Sequence, residues 1–138
     1  MILDFNFDVT PMAHQSVRCE HGVFRQPNKI KDYKRVIQMI ARYQLPRGFE
    51  MFEKEVPLKM CVRYYFKYRK SEKKSLVQGL CKIPKVTIPD VTDNLQKALV
   101  DSLAGIIFKQ DQQIFSLVAE KYWWYKNCIH LSIFDGAA

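Results

Sequence analysis

The sequence predicts an α+β fold, with a mixed, largely antiparallel sheet and helices packed on one side of it. Three observations lead to this prediction. Residues 3–9 and 58–68 alternate between apolar and polar side chains, as half-buried strands do, and two further strand-like runs lie near the C-terminus. Residues 28–43 and 93–103 instead repeat apolar side chains at helical spacing. The predicted order of elements is therefore β, α, β, α, β, β.

The composition limits the size of the fold and the class of partner. A chain of 138 residues is long enough for one core but not for two, so we expect a single domain over residues 1–138. The hydrophobic content of 48% and the aromatic content of 13% exclude a disordered chain. A formal net charge of +8 favours a polyanionic partner, and nucleic acid is the best candidate.

The cysteines and the apolar runs exclude other classes. The four cysteines are widely spaced and include no Cys-x-x-Cys pair, which argues against a zinc module and against a redox motif. The sequence contains no run of about 18 apolar residues and no basic segment followed by an apolar one at its start. We therefore expect a soluble, cytoplasmic protein with no membrane partner.

The N-terminal third alternates between regular and irregular segments. The first strand ends at Thr10 and Pro11, and residues 12–27 have no clear periodicity. That polar, basic loop fits a plain surface loop or a DNA-facing loop equally well. An amphipathic, basic helix follows from Asn28, with Tyr33 and Ile37 on its apolar face. Residues 44–55 contain Pro and Gly and are predicted to form a connector.

The second strand begins a strongly basic stretch. Its apolar residues alternate with charged ones, so one face should join the core and the other should be basic. Residues 59–85 contain nine lysines and arginines and one acid, Glu72. Such a stretch, interleaved with aromatic side chains, can contact phosphates, or it can be an ordinary solvated face. Residues 71–88, which overlap the end of this stretch, are predicted to be a flexible loop.

The central helix carries a concentration of acid in this basic protein. It begins after Pro89 and ends before Gly105, and its apolar residues form one buried stripe. Asp93, Lys97 and Asp101 fall at i, i+4 and i+8 on one face, and Asp90 points the same way. Residues 106–115 are predicted to turn into a strand. That turn would return Asp111 towards the start of the helix.

Crowded carboxylates need a neutralising cation or protons, and an all-oxygen set suits Mg²⁺ or Mn²⁺ rather than zinc. A metal held in this way activates a water and stabilises the oxygens of a phosphodiester, while a nearby lysine offsets developing charge. The alternative is a solvated helix face whose i,i+4 ion pairs contribute about 0.3 kcal/mol each. Spacing alone leaves both interpretations open.

The last segment is predicted to be a terminal hairpin. Residues 114–122 and 128–134 have strand patterns, and an aromatic turn of residues 123–127 joins them. That aromatic tip could stack on exposed bases, form a dimer contact or pack against its own domain.

One family resemblance draws these features together. The run Asp93-Asn94-Leu95-Gln96-Lys97-Ala98, the acid Asp101, an apolar turn containing glycine and the run Asp111-Gln112-Gln113-Ile114 resemble the core of the RusA family of Holliday junction resolvases. The resemblance implies a RusA-like fold and a Mg²⁺-dependent homodimeric endonuclease. Such an enzyme cuts four-way DNA junctions by paired symmetric nicks, in DNA recombination and repair.

The resemblance also implies which residues act. Asp93, Lys97 and Asp111 match the family's catalytic positions, and Asp90 corresponds to the first aspartate of the usual Asp-x-Asp-Asn pattern, although one extra residue separates it from Asp93. We expect Asp90, Asp93 and Asp111 to bind Mg²⁺, with Mn²⁺ as a possible substitute. Gln110 stands where the family often has a first acid of an Asp-Asp pair. Asp101 is expected to be a supporting acid.

The expected partners are branched DNA, in the form of four-way junctions, and a second copy of the chain. The residues expected to contact DNA are basic and lie mainly in the stretch described above: Arg18, Lys59, Arg63, Lys67, Arg69, Lys70, Lys73 and Lys74. The alternative is a non-catalytic protein that binds branched DNA on the same scaffold, its metal site weakened by the extra residue after Asp90. A nuclease for other branched or single-stranded DNA is a third possibility.

Overall fold

The computed structural model describes residues 1–14, 18–25 and 28–136. Its seven strands, three α-helices and one 3₁₀ turn follow the chain in this order: β1 Ile2–Phe7, β2 Arg18–Glu20, β3 Val23–Arg25, α1 Asn28–Gln44, β4 Leu58–Lys67, α2 Lys74–Gln78, β5 Ile83–Pro84, α3 Asn94–Leu103, the 3₁₀ turn Asp111–Gln113, β6 Ile114–Trp124 and β7 Cys128–Asp135.

These elements form two compact units, each assembled from separate stretches of the chain. The sheet unit contains β1, β4, α2, β5, β6 and β7, and the helical unit contains β2, β3, α1, α3 and the 3₁₀ turn. The expectation of one domain over residues 1–138 stays a prediction.

The sheet has the order β1-β7-β4-β6-β5. β4 and β6 run parallel, and the other three neighbouring pairs are antiparallel. The predicted α+β class with a mixed, largely antiparallel sheet is therefore confirmed. None of the helices within the described ranges is long and apolar enough to cross a membrane.

The predicted terminal hairpin is wrong, because β4 lies between β6 and β7. One face of β4 is part of the core, with Leu58, Met60, Val62 and Tyr64 at most 1% exposed. A central position gives such a strand a hydrogen-bonded neighbour on both sides. Pairing of β6 with β7 would instead have occupied an edge of each strand that β4 now uses.

The charged face of β4 also departs from its prediction. Lys59, Arg63 and Lys67 are exposed on it, as the alternation predicts. Tyr65, on the same face, is fully buried. Its ring packs against Tyr122, Trp124 and His130, at centroid distances of 5.7, 4.5 and 4.9 Å. An aromatic cluster therefore interrupts the basic stripe.

The helical unit is built on α1 and α3, which pack against each other. The periodicity predicted both apolar faces, and the buried side chains include Ile30, Tyr33, Ile37 and Ala41 on α1 and Leu95, Ala98, Leu99 and Leu103 on α3. Burial raises the pKa of Tyr33 to about 12. After α1, the connector returns to this core where the Phe52 N–H donates to the Ile107 carbonyl at 2.9 Å.

Two predicted loops contain short regular elements. β2 and β3 form a small hairpin whose turn residues, His21 and Gly22, have φ values of 50° and 77°. α2 and β5 lie in the stretch predicted to be a flexible loop, and β5 pairs with Tyr122 and Trp123 of β6. These elements span two to five residues each, which is too short for a hydrophobic period to be detected.

We predict that Gly136→Ala destabilises the sheet unit. A β-carbon at Gly136 would lie 2.6 Å from Phe115 Cε1 and 3.0 Å from the Pro57 carbonyl oxygen. Relief of this overlap should cost about 1–3 kcal/mol of unfolding free energy, measured by urea denaturation. Gly79→Ala is the control, because its β-carbon would meet its nearest neighbour at 3.4 Å and its φ is −80°. Equal stability of the two variants would contradict the prediction.

Candidate active site

The first acid, Asp90, closes the turn from which α3 begins. Its Oδ1 accepts hydrogen bonds from the backbone N–H groups of Asp93 at 3.0 Å and Asn94 at 2.9 Å. Its Oδ2 accepts a third hydrogen bond from Asn94 Nδ2 at 2.8 Å. A carboxylate at this position satisfies free N–H groups of the first helical turn and interacts favourably with the positive end of the helix.

The side chain of the next acid, Asp93, does not cap the helix. It stands at the N-cap position, where its side chain makes no capping hydrogen bond to any described residue. Its backbone carbonyl accepts the Lys97 N–H at 2.8 Å, so Asp93 and Lys97 lie one helical turn apart. Both side chains are exposed. The start of α3 therefore presents one carboxylate and one ammonium group on an accessible surface.

The last acid, Asp111, is exposed at the start of the 3₁₀ turn, and the turn is fixed by Gln113. Gln113 is 5% exposed, and its side-chain amide makes four hydrogen bonds to backbone groups. Its Oε1 accepts from the N–H groups of Lys109 and Gln110, both at 2.9 Å. Its Nε2 donates to the carbonyls of Glu53 at 2.7 Å and Val56 at 3.2 Å. Gln113 thus positions Asp111.

Gln113 is not among the site residues predicted from the sequence. It belongs to a polar Gln-Asp-Gln-Gln run in which exposed and buried glutamines look alike. Its backbone partners include residues more than fifty positions away, so no local pattern identifies it.

The structure brings Asp90 and Asp93 together in one turn and does not group them with Asp111. Across the described ranges, no three histidine, cysteine, aspartate or glutamate side chains are arranged so that they could hold a metal ion. The donor chemistry nevertheless fits a hard cation, since all three side chains offer carboxylate oxygens. The three acids therefore match a hard cation in the type of donor atom, and two of them, Asp90 and Asp93, lie in the same turn.

Asp101 is part of the contact between α1 and α3. Its Oδ2 lies 3.7 Å from Lys34 Nζ and 3.9 Å from His14 Nδ1. The backbone N–H of His14 donates to the backbone carbonyl of Asn94 at 2.9 Å. These contacts agree with the expected supporting role of Asp101.

The predicted DNA-contacting residues are mostly exposed, and two of them are paired with acids. Those whose side chains the structure describes are exposed: Lys59, Arg63, Lys67, Arg69, Lys70, Lys73 and Lys74. Arg63 forms an ion pair with Glu120 at 3.2 Å, and Arg69 forms one with Glu72 at 2.6 Å. These acids reduce the charge that the two arginines offer to a polyanion. The side chain of Arg18 lies outside what the structure describes.

A comparison with protein-family models identifies the family. The model for endodeoxyribonuclease RusA matches residues 6–133 of the 138-residue chain. The chain belongs to the RusA family. Among curated proteins, no significant match was found. The matched range contains all four predicted catalytic residues and extends from β1 to β7, so the resemblance inferred from a few motifs is confirmed over nearly the whole chain.

Family membership places this RusA-family chain among the endodeoxyribonucleases, which supports the predicted nuclease class. The structure also gives a physical account of its departure from the Asp-x-Asp-Asn pattern. With two residues between the acids, Asp90 reaches both N–H groups at the start of α3 and the Asn94 side chain. The longer spacing thus goes together with a capping role for Asp90.

We predict that the two acids of this turn differ in their effect on stability. Asp90→Ala removes the acceptor of three hydrogen bonds at the start of α3 and should cost about 1–2 kcal/mol of unfolding free energy. Asp93→Ala removes no capping bond and should change stability by less than about 0.5 kcal/mol. Denaturant unfolding of both variants measures the difference. A larger loss from Asp93→Ala would rule out this division of roles.

We also predict that Gln113→Met destabilises the turn that carries Asp111. The substitution leaves two N–H groups and two carbonyls without their side-chain partner, at a cost of about 2–4 kcal/mol. Gln112→Met is the matched control, because Gln112 is exposed and its amide donates to the Gln110 side chain. Thermal and urea unfolding measure both variants, and wild-type stability of Gln113→Met would refute the assignment.

Proposed function

We propose that this protein is a Mg²⁺-dependent endonuclease that resolves four-way DNA junctions by paired symmetric nicks, in DNA recombination and repair. The observation that carries the proposal is the RusA family match over residues 6–133. Within that range, Asp90, Asp93, Lys97 and Asp111 follow the family's order of acids and lysine. The protein's net charge of +8 suits a DNA substrate.

The proposed metal ligands are Asp90, Asp93 and Asp111, with Mg²⁺ as the cofactor and Mn²⁺ as a possible substitute. The exposed carboxylates of Asp93 and Asp111 are accessible to a cation and to a substrate. A bound Mg²⁺ would supply Lewis-acid chemistry, lowering the pKa of a water and stabilising phosphate oxygens. The support for this assignment is the oxygen-donor chemistry of the three side chains.

Other residues of the chain would contact the substrate or position the acids. Lys97, one turn after Asp93, would contact the scissile phosphate and offset negative charge that develops during displacement. Asp90 fixes the start of the helix that carries Asp93 and Lys97. Gln113 fixes the turn that carries Asp111. Positioning of this kind lowers the barrier because the reacting groups need not be ordered during the reaction.

The proposed partners are branched DNA and a second copy of the chain. A four-way junction has approximate two-fold symmetry, so two matched cuts call for two active sites related by a two-fold axis. The exposed cations of the basic stretch would bind phosphates along the junction arms and make binding sensitive to salt.

A second candidate function is junction binding without cleavage. One observation favours it: both oxygens of the Asp90 carboxylate already accept hydrogen bonds at the start of α3. An acid committed in this way is less available to a metal than one in solvent. The two candidates differ in a single step, the hydrolysis of the phosphodiester.

We predict cleavage of a labelled synthetic four-way junction in Mg²⁺ and none in EDTA, with a linear duplex left intact. Asp93→Asn should reduce the cleavage rate by about 100-fold or more, because it removes a ligand charge. Junction binding should be kept or strengthened, because the loss of a carboxylate reduces repulsion of phosphate.

Asp101→Asn is the control for this experiment. It makes the same chemical change on the same helix at a side chain that contacts Lys34. We expect it to cut at close to the wild-type rate. Wild-type cleavage by Asp93→Asn would overturn the site assignment, whereas tight binding without nicks in either Mg²⁺ or Mn²⁺ would establish the second candidate function.

A further inference from the structure

The sheet unit carries a cluster of cations around the indole of Trp123. Lys85 is only 7% exposed, and its Nζ lies 3.9 Å from the centroid of the Trp123 ring and 5.0 Å from that of Phe66. On the same indole, Arg69 Cζ lies 4.7 Å from the centroid. In contacts of this kind the electron-rich face of the ring attracts the cation.

Thr87 connects two lysines of this cluster. Its Oγ1 accepts a hydrogen bond from Lys85 Nζ at 2.7 Å, and its backbone carbonyl accepts one from Lys121 Nζ. The backbone is paired as well, since the Lys85 N–H donates to the Lys121 carbonyl at 3.0 Å. The cluster is therefore held together by backbone and side-chain contacts and does not consist of freely moving surface lysines.

Two cations of this cluster, Arg69 and Lys85, differ in their ionic partners. Glu72 pairs with Arg69, with Oε1 2.6 Å from the guanidinium Nε. In the part of the chain that the structure describes, no carboxylate lies within ion-pair distance of Lys85. Burial, followed by repulsion from Lys121 and Arg69, lowers the pKa of Lys85. Aromatic rings offset part of this cost, but an anion would offset more of it.

We propose that Lys85 and Lys121, together with Arg69 and the Thr87 hydroxyl, bind one phosphate group. An ammonium group has three donors, and Lys85 uses one of them on Thr87. With so little of Lys85 exposed, the site admits a small oxyanion and not the face of a base. Thr87 precedes Asp90 by three residues in the sequence.

The choice of DNA as the source of this phosphate rests on the proposed function. The proposed phosphate site is more specific than general phosphate contact by the basic stretch, because it assigns a fixed position to one phosphate. It also includes Lys121, which lies outside that stretch. Contacts to phosphate position a protein on DNA without reading its sequence. The site should therefore serve a junction and a linear duplex alike.

The test is equilibrium binding in EDTA of a labelled four-way junction and of a linear duplex, over a range of salt concentrations. The variants are Lys85→Met, Lys121→Met and the double substitution. In a plot of log Kd against log salt concentration, the double variant should lose about 0.9 from the slope, the value for one phosphate contact. Its affinity should fall by a similar factor for both DNAs. The single variants should fall between the wild type and the double variant.

Lys54→Met is the matched control, since Lys54 is exposed between Glu53 and Glu55 and should not approach DNA. Melting temperatures report whether each variant is folded, and Lys121→Met tests the site alone if Lys85→Met does not fold. Because EDTA prevents metal-dependent cleavage, the result is independent of whether the protein is a nuclease.

Two results would overturn the proposal. A wild-type slope in both Lys121→Met and the double variant would mean that the cluster only fixes Trp123. Unchanged DNA binding together with the loss of a measurable affinity for inorganic phosphate would mean that the site takes the free anion and not DNA.

Discussion

The hydrogen bonds of the Asp90 carboxylate set the phase of the helix on which the candidate site depends. By accepting the N–H groups of Asp93 and Asn94, this acid fixes the residue at which α3 begins. From that point, helical geometry turns Leu95 and Leu99 into the core and leaves Lys97 exposed one turn after Asp93. The exposed pair and the buried stripe are therefore consequences of one capping interaction.

This interaction also places two demands on one carboxylate. A capping acid is stabilised by N–H donors, and a metal-binding acid by a cation, and both use the same oxygen lone pairs. Asp90 meets the first demand with both oxygens, whereas Asp93 and Asp111 are exposed. Whether a protein on this scaffold is a nuclease or only a junction-binding protein therefore depends on whether Asp90 can cap the helix and bind a metal ion at the same time. Family membership favours cleavage, whereas the capping geometry of Asp90 favours binding without cleavage.

Local periodicity predicted the elements that are long and have one buried face, which are β1, β4, α1 and α3. It failed where the outcome depends on distant partners, because the position of β4 between β6 and β7 is set by long-range strand pairing and not by the pattern of any one strand. Tyr65 lies at a position where alternation predicts solvent, yet aromatic residues of two other strands cover it. In the candidate site, the acids and the lysine, whose roles stay a prediction, were singled out by spacing and resemblance. Gln113 was not, because its partners are distant backbone groups.

The same distinction applies to the basic stretch, where a count of lysines and arginines treats unlike residues as equal. Arg63 and Arg69 have acidic partners, Lys82 lies 4.9 Å from the centroid of the Trp124 ring, and Lys70 is exposed. Exposed cations attract DNA over a distance of about a Debye length, but they lose side-chain entropy when they contact it. A cation already held against an aromatic ring has lost that freedom on folding, so it can fix the position of a phosphate at less cost. If this stretch binds DNA as proposed, its aromatic residues would contribute by ordering cations, even where no base stacks on them.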